Sequence, residues 1–237
     1  MFKKILLGVC IMASFSASAS KILVDNVIVN FDENNRGKED VFVRNLSEED
    51  SYVKIIVTEI INAGLDNQER IEHKNPKESG IFVSPNKLVL NPQGSKGESK
   101  AIRIANINKN LDKDRIYRVQ VVPVISDFKK EDEGLGVKIL MGYEILTIIQ
   151  PNNPILDYQY TINDSKFNIK NTGNSNFLLH RGTQCKDDKK EVCEKLPTKR
   201  IYAGMEYSFD LPNGNRDVDY YIQFGENNKL GEFKASN

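Results

Sequence analysis

A chain of 237 residues carries 33 basic and 33 acidic side chains, so its formal charge at pH 7 is zero. That balance excludes the basic stripe needed to neutralise nucleic-acid phosphates, and past the first twenty residues no stretch is apolar enough to cross a bilayer. Two histidines and three cysteines leave little material for a metal or catalytic cluster.

Lys3 and Lys4 precede an apolar run from Ile5 to Met12, and Ala17-Ser18-Ala19 has the small-residue pattern of a cleavage site. Charge, apolar run and small residues in that order predict a secretory signal peptide over 1–19, with Cys10 inside it. The mature chain then starts near Ser20. It keeps 31 of the 33 basic residues, because Lys3 and Lys4 are lost, against 33 acidic ones, a formal charge of −2. About 218 residues remain, enough for one large or two ordinary domains.

From there apolar residues recur at a period of two, in short runs divided by Asn, Gly, Pro and Asp, which is the all-β pattern. Strands are expected at Ile22–Asn30, Asp40–Leu46, Tyr52–Ile61, Gly80–Ser84, Lys87–Leu90, Ala101–Ile107, Ile116–Ile125 and Val137–Ile149. That count and spacing fit an immunoglobulin-type β-sandwich over 20–150. No stretch has a helical period.

The last of these strands differs from the rest. Its thirteen residues contain no proline, about twice the common strand length, and one face reads Val137, Ile139, Met141, Tyr143, Ile145, Thr147, Ile149. On an open sheet edge such a strand recruits other strands and is a route to self-association of the free protein, so it is either buried or built to recruit.

Gln150-Pro151-Asn152-Asn153-Pro154 ends that strand and is expected to be a hinge. Shorter runs follow at Leu156–Ile162, Phe167–Asn171, Phe177–His180, Tyr207–Leu211, Tyr220–Phe224 and Gly231–Lys234, predicting a second sandwich over 151–237. Asn171-Thr172-Gly173-Asn174 and Pro212-Asn213-Gly214-Asn215 read as turns whose residues tolerate positive φ. Cys185 and Cys193 stand eight residues apart in a polar loop of an exported chain, so a disulfide is expected. A redox or metal pair would want C-x-x-C or nearby histidines. His73 and His180 stand alone, and Gly134-Leu135-Gly136 lacks the helix of a phosphate loop, so no enzyme site and no cofactor are expected.

Several ordered segments carry a family likeness. Ile81-Phe82-Val83-Ser84-Pro85-Asn86-Lys87-Leu88-Val89-Leu90-Asn91-Pro92-Gln93-Gly94, followed by Lys100-Ala101-Ile102-Arg103-Ile104, resembles the V-x-P-x-x-x-x-L-P-x-G…x-x-x-R-I stretch of chaperone–usher pilus chaperones. Tyr117-Arg118-Val119, Pro123 and the Val137–Gln150 strand ending at Pro151 follow in family order. Asn171-Thr172-Gly173-Asn174 with a later Cys pair looks like the alternative branch that assembles colonisation fimbriae.

The resemblance implies two immunoglobulin-like domains in an L shape and a periplasmic protein without cofactor. It implies pilin subunits, and a tip adhesin, as cargo. Each pilin lacks its last strand, receives one from the chaperone by β-augmentation and is delivered to an outer-membrane usher. Counted back from Pro151, Val137, Ile139 and Met141 fall where the family fills the pilin groove, with Tyr143 next on that face. The better-known branch anchors the pilin carboxylate with two basic residues, but Ile28 and Leu146 occupy those positions here. Its hinge salt bridge is lost too, at Gln150 and Val121. Some other basic group then has to serve: Arg118 and Arg103 are the candidate anchors, with Lys54 and Arg44 as further basic residues of the same domain. A structural subunit or adhesin domain of a surface fibre is the alternative; it should carry a donor extension ahead of its first strand, whereas here the long strand is internal.

Overall fold

The computed structural model describes residues 21–35, 37–124, 139–186 and 192–235. The expected signal segment and Val137 lie outside the described residues.

Up to residue 149 the chain forms β1 (Ile22–Val24), β2 (Ile28–Phe31), β3 (Lys38–Asn45), β4 (Ser51–Ile61), β5 (Glu69–Glu72), α1 (Pro76–Ser79), β6 (Ile81–Ser84), β7 (Lys87–Leu90), β8 (Ser99–Asn106), β9 (Arg115–Val124) and β10 (Tyr143–Ile149). Two sheets result, β1-β3-β8-β6 and β2-β10-β9-β4-β5, with β7 beside β4. Alternation builds the sandwich between them: Val41 and Val43 of β3 turn inward while Phe42 and Arg44 turn out. Val29, Phe31, Tyr117, Val119, Val121, Ile145 and Ile149 meet them from the second sheet in one continuous core.

Three expectations change. The single strand over Ile22–Asn30 is two, because Asp25 and Asn26 turn the chain. Asp25 Oδ1 accepts from Phe42 N at 2.9 Å and Asn26 Oδ1 from Ile28 N at 3.0 Å, so β1 pairs with β3 while β2 crosses to run parallel to β10. A helix exists after all. Asn75 caps α1, accepting from Lys77 N at 3.0 Å, and Gly80 ends it at φ 73°; four residues are too few to leave a helical period in the sequence. Finally, among the described residues regular pairing of the long strand is seen only from Tyr143, with Val137 and Lys138 outside them.

The rest of the chain forms β11 (Tyr158–Asn163), β12 (Lys166–Asn171), β13 (Phe177–Cys185), β14 (Cys193–Lys195), β15 (Lys199–Ile201), β16 (Glu206–Asp210), β17 (Val218–Phe224) and β18 (Asn227–Phe233). Its two sheets are β11-β12-β16 and β14-β13-β17-β18, with β15 beside β13. Phe167, Phe177, Tyr220 and Phe233 fill the space between them. The expected disulfide joins Cys185 to Cys193, which stand opposite each other across β13 and β14.

Gly214 adopts the positive φ expected of a turn glycine, at 68°. Gly173 does not. A Cβ there would lie 2.2 Å from Ile155 O and 2.9 Å from Asp157 N, so this glycine is required by the close approach of a neighbouring backbone.

Candidate functional site

The apolar face read from the sequence is real, and its two ends meet different surroundings. Ile145 and Ile149 are buried in the first core, Thr147 is fully buried on the same face, and Tyr143 is half-buried against the core. Ile139 and Met141 continue that parity past the end of the core and are 61% and 58% exposed. Only an isolated bridge at Leu140 interrupts the unpaired stretch from Ile139 to Gly142. On the side away from β9, β10 is paired only from Leu146 onward, where β2 begins. Ahead of that point no described strand lies beside β10 on this side.

The opposite face of the same sheet carries Arg118. On β9, Tyr117, Val119 and Val121 point into the core, so Ile116, Arg118 and Gln120 point out. Pairing sets Arg118 between Thr58 of β4 and Leu146 of β10. Just below it Ile60, Ile116, Leu146 and Ile148 form a buried cluster, and Tyr202 of the second sandwich packs on that cluster. Arg118 therefore stands at the upper rim of the junction between the sandwiches, part-buried and with no ion pair among the described residues. Above it Glu144 accepts from Gln120 Nε2 at 2.8 Å and from Arg70 Nη1 at 3.2 Å; these bonds hold its carboxyl below the ordinary range.

Arg103 lies elsewhere. It points out from the other sheet and binds Asp40 through two bonds, Nε to Oδ1 at 2.7 Å and Nη2 to Oδ2 at 2.6 Å. That guanidinium is already neutralised, on a face away from the junction.

The junction itself is braced by groups the sequence did not single out. Asp114, next to β9, accepts from Ser175 Oγ at 2.8 Å and from both Asn176 N and Asn176 Nδ2 at 2.6 Å. Its own backbone N–H donates to Asn174 O at 3.1 Å, and Asn174 Nδ2 donates to Asp112 O at 3.0 Å and to Asn153 O at 3.1 Å. Burial pushes the Asp114 carboxyl up, and the donated hydrogen bonds oppose it. In the β9–β10 register Val121 lies opposite Tyr143, seven residues up the strand from Gln150, so the two positions named by the resemblance are too far apart to bridge; the Asp114 network stands instead at the Gln150 end of the sheet.

Arg200 of β15 also donates to Asn176 Oδ1. Burial lowers the affinity of its guanidinium for the proton, and the nearby charge of Arg118 acts in the same direction while Asp114 opposes both. Arg118 and Arg200 thus approach the junction from opposite sandwiches, near enough for their charges to act on each other. No local signal marked Asp114 or Arg200, because their partners lie more than twenty residues away.

The model of the CS5 fimbrial protein N-terminal domain matches residues 24–150, more than half of the chain. The chain belongs to the CS5 fimbrial protein family. Over 217 residues it is 30% identical to a CFA/I fimbrial subunit of Escherichia coli, covering 86% of this chain and 85% of that one. Membership bears out the colonisation-fimbria branch expected from Asn171–Asn174 and the cysteine pair.

Solved structures give the same fold. The class 5 fimbriae chaperone CfaA superposes with a TM-score of 0.65 at 24% identity, covering 92% of this chain and all of that one. The Salmonella enterica SafB chaperone, solved with the SafA pilin, gives 0.61 at 12% identity over 92% and 98% of the two chains. Both of those proteins are chaperones, and this CS5-family chain shares their two-sandwich, immunoglobulin-like fold.

Proposed function

We propose that this protein is a periplasmic chaperone that caps pilin subunits with the strand beginning at residue 137 and passes them to an outer-membrane usher. The observation that carries the reading is the exposed pair Ile139 and Met141, set on the core-facing parity of β10 but beyond its core, along an edge that no described strand covers ahead of Leu146. A pilin that lacks a strand offers the matching needs: hydrogen bonds for its own edge and apolar plugs for its groove. Val137 extends the same parity, while Tyr143 serves as the point where the donated stretch joins the sandwich. Met141, unbranched and polarisable, suits an irregular pocket.

Arg118 is the anchor for the pilin's C-terminal carboxylate in this reading, with Arg200 assisting from the second sandwich. Arg103 is spoken for by Asp40. Residues 20–150 and 151–237 act as the two units of the chaperone, residues 1–19 direct export, and holding a strand requires neither cofactor nor bond cleavage.

The test is co-expression with a pilin of this family in the periplasm. Pilin is expected to stay soluble only with this protein, and Ile139→Asp should abolish the complex. That change removes about 1.5–3 kcal/mol of apolar burial and sets a charge against the groove. Soluble pilin regardless of either would sink the proposal. The name of the E. coli relative favours a second reading, a structural component of the fibre; recovery of this chain in purified, washed fibres would decide for it.

A further inference from the structure

Backbone parity on β10 explains why its regular ladder ends at Tyr143, with only an isolated bridge at Leu140 beyond it. Leu146 N donates to Val27 O and Gln150 N to Phe31 O, each at 2.9 Å, so even-numbered residues address β2 and odd-numbered ones address β9. β9 follows the matching rule. Ile55 N of β4 donates away from β9, to Asn86 O on the β7 side at 2.9 Å, so the even residues of β4 bond the even residues of β9 that face them. Tyr117, Val119 and Val121 are left for β10, opposite Thr147, Ile145 and Tyr143.

Continued by two residues, this register brings Met141 to Pro123. Met141 is the next residue whose carbonyl needs a donor from β9, and Pro123 has no N–H to give. Proline is rare inside a sheet for this reason, yet Pro123 lies on a strand flanked by β4 and β10. Its missing donor faces the β10 side alone, so the β4 ladder is intact through Tyr52 and Val124. Gly142, between the two, passes so close to β9 that a Cβ would sit 3.0 Å from Val121 O.

We infer that Pro123 and Gly142 are positioning residues that keep Ile139–Met141 lightly held on its own sheet, so that a bound strand is released to a competitor. This rests on the donor-strand reading for its second half only. Proline removes one rung, and glycine lets the chain lie close without one. The segment stays aligned with β9 but lacks the bond that would lock it.

Hydrogen exchange on the free protein tests the first half without any pilin. Pro123→Val supplies the missing donor, and exchange at Met141 and its neighbours is expected to slow about five- to tenfold, the effect of one net backbone bond. Gly142→Ala puts a methyl group against Val121 O and should speed exchange across 139–142. Opposite signs from the two variants are the expected result. Equal or reversed effects would overturn the inference, and because each variant checks the other, a folding failure in one leaves the second to decide.

The second half is read from a pilin complex challenged with a peptide corresponding to a pilin's donor extension. Release from Pro123→Val should slow by the same factor. Slowed exchange with unchanged release would refute the release role, whereas pilin capture that survives Ile139→Asp would refute the donor-strand reading and leave the strand mechanics standing.

Discussion

The two sandwiches reach the same architecture with different cores. The first is filled by aliphatic side chains, Val and Ile above all, with Phe31 and Tyr117 the fully buried rings. The second is built on rings: Phe167 meets Phe233 edge-on at 5.2 Å, Tyr160 meets Phe233 at 4.9 Å, and Tyr220 packs on both Phe167 and Phe233. Each sandwich also uses a buried asparagine at the end of a strand to fasten a turn. Asn45 Nδ2 donates to Asn91 O at 2.9 Å in the first, and Asn171 Nδ2 to Ser175 O at 2.9 Å in the second. Aliphatic residues of similar volume exchange at small cost, whereas flat rings fit only one arrangement. The aliphatic sandwich must therefore draw its specificity from polar groups at its margin, and the aromatic one from shape.

Arg115→Ala strikes the polar margin and should have the largest effect. Glu59 is buried and bound by Arg115 through Nε at 2.8 Å and Nη2 at 2.7 Å, with His73 Nε2 2.7 Å from the same carboxylate. Removing the guanidinium leaves a buried carboxylate with an imidazole as its nearest partner, at a cost of about 3–5 kcal/mol. Urea unfolding checks it. Glu59→Leu combined with Arg115→Met removes both charges and should recover most of the loss; failure to recover would mean that the pair is needed to orient the α1 loop, where Tyr117 Oη donates to Ser79 O at 2.5 Å.

Gly182→Ala tests shape in the second sandwich. A Cβ at this bulge would lie 2.2 Å from the Tyr220 ring. That ring is hemmed in by Phe167 and Phe233 and tied by its hydroxyl to Pro197 O at 2.9 Å. The strain should cost about 1–3 kcal/mol. Because the chain has no tryptophan, near-ultraviolet circular dichroism reports the tyrosines directly; loss of that signal at a lower urea concentration is the expected result.

Much of this was legible in the sequence because alternation is a local property. The face running from Ile139 to Ile149 could be read from spacing, and so could the cysteine pair. What escaped depends on partners distant in sequence. The end of regular pairing at Tyr143 needs Pro123, which lies on another strand. The brace at Asp114 needs Ser175 and Asn176, about sixty residues away, so nothing in its own neighbourhood marks this acid. The switch from β1 to β2 was nearer to hand: Asp25-Asn26 is turn chemistry inside an apparent strand, and only the apolar run around it hid the break.

Thr147→Val gives the smallest and finest test of the comparison, because its sign is opposite. Thr147 is fully buried on the inward face of β10, and Oγ1 has no hydrogen-bond partner among the described residues. Valine keeps the shape and removes an unsatisfied hydroxyl whose burial costs about 1–3 kcal/mol. A gain of about 1 kcal/mol is expected, seen as a rise of roughly 2–4 °C in melting temperature for a chain of this size. Pilin capture should not change, since Thr147 sits in the paired half of the strand, remote from Ile139 and Met141. A loss of stability instead would mean that the hydroxyl is bound to an internal water. The aliphatic core would then depend on a polar contact at its centre as well as at its margin.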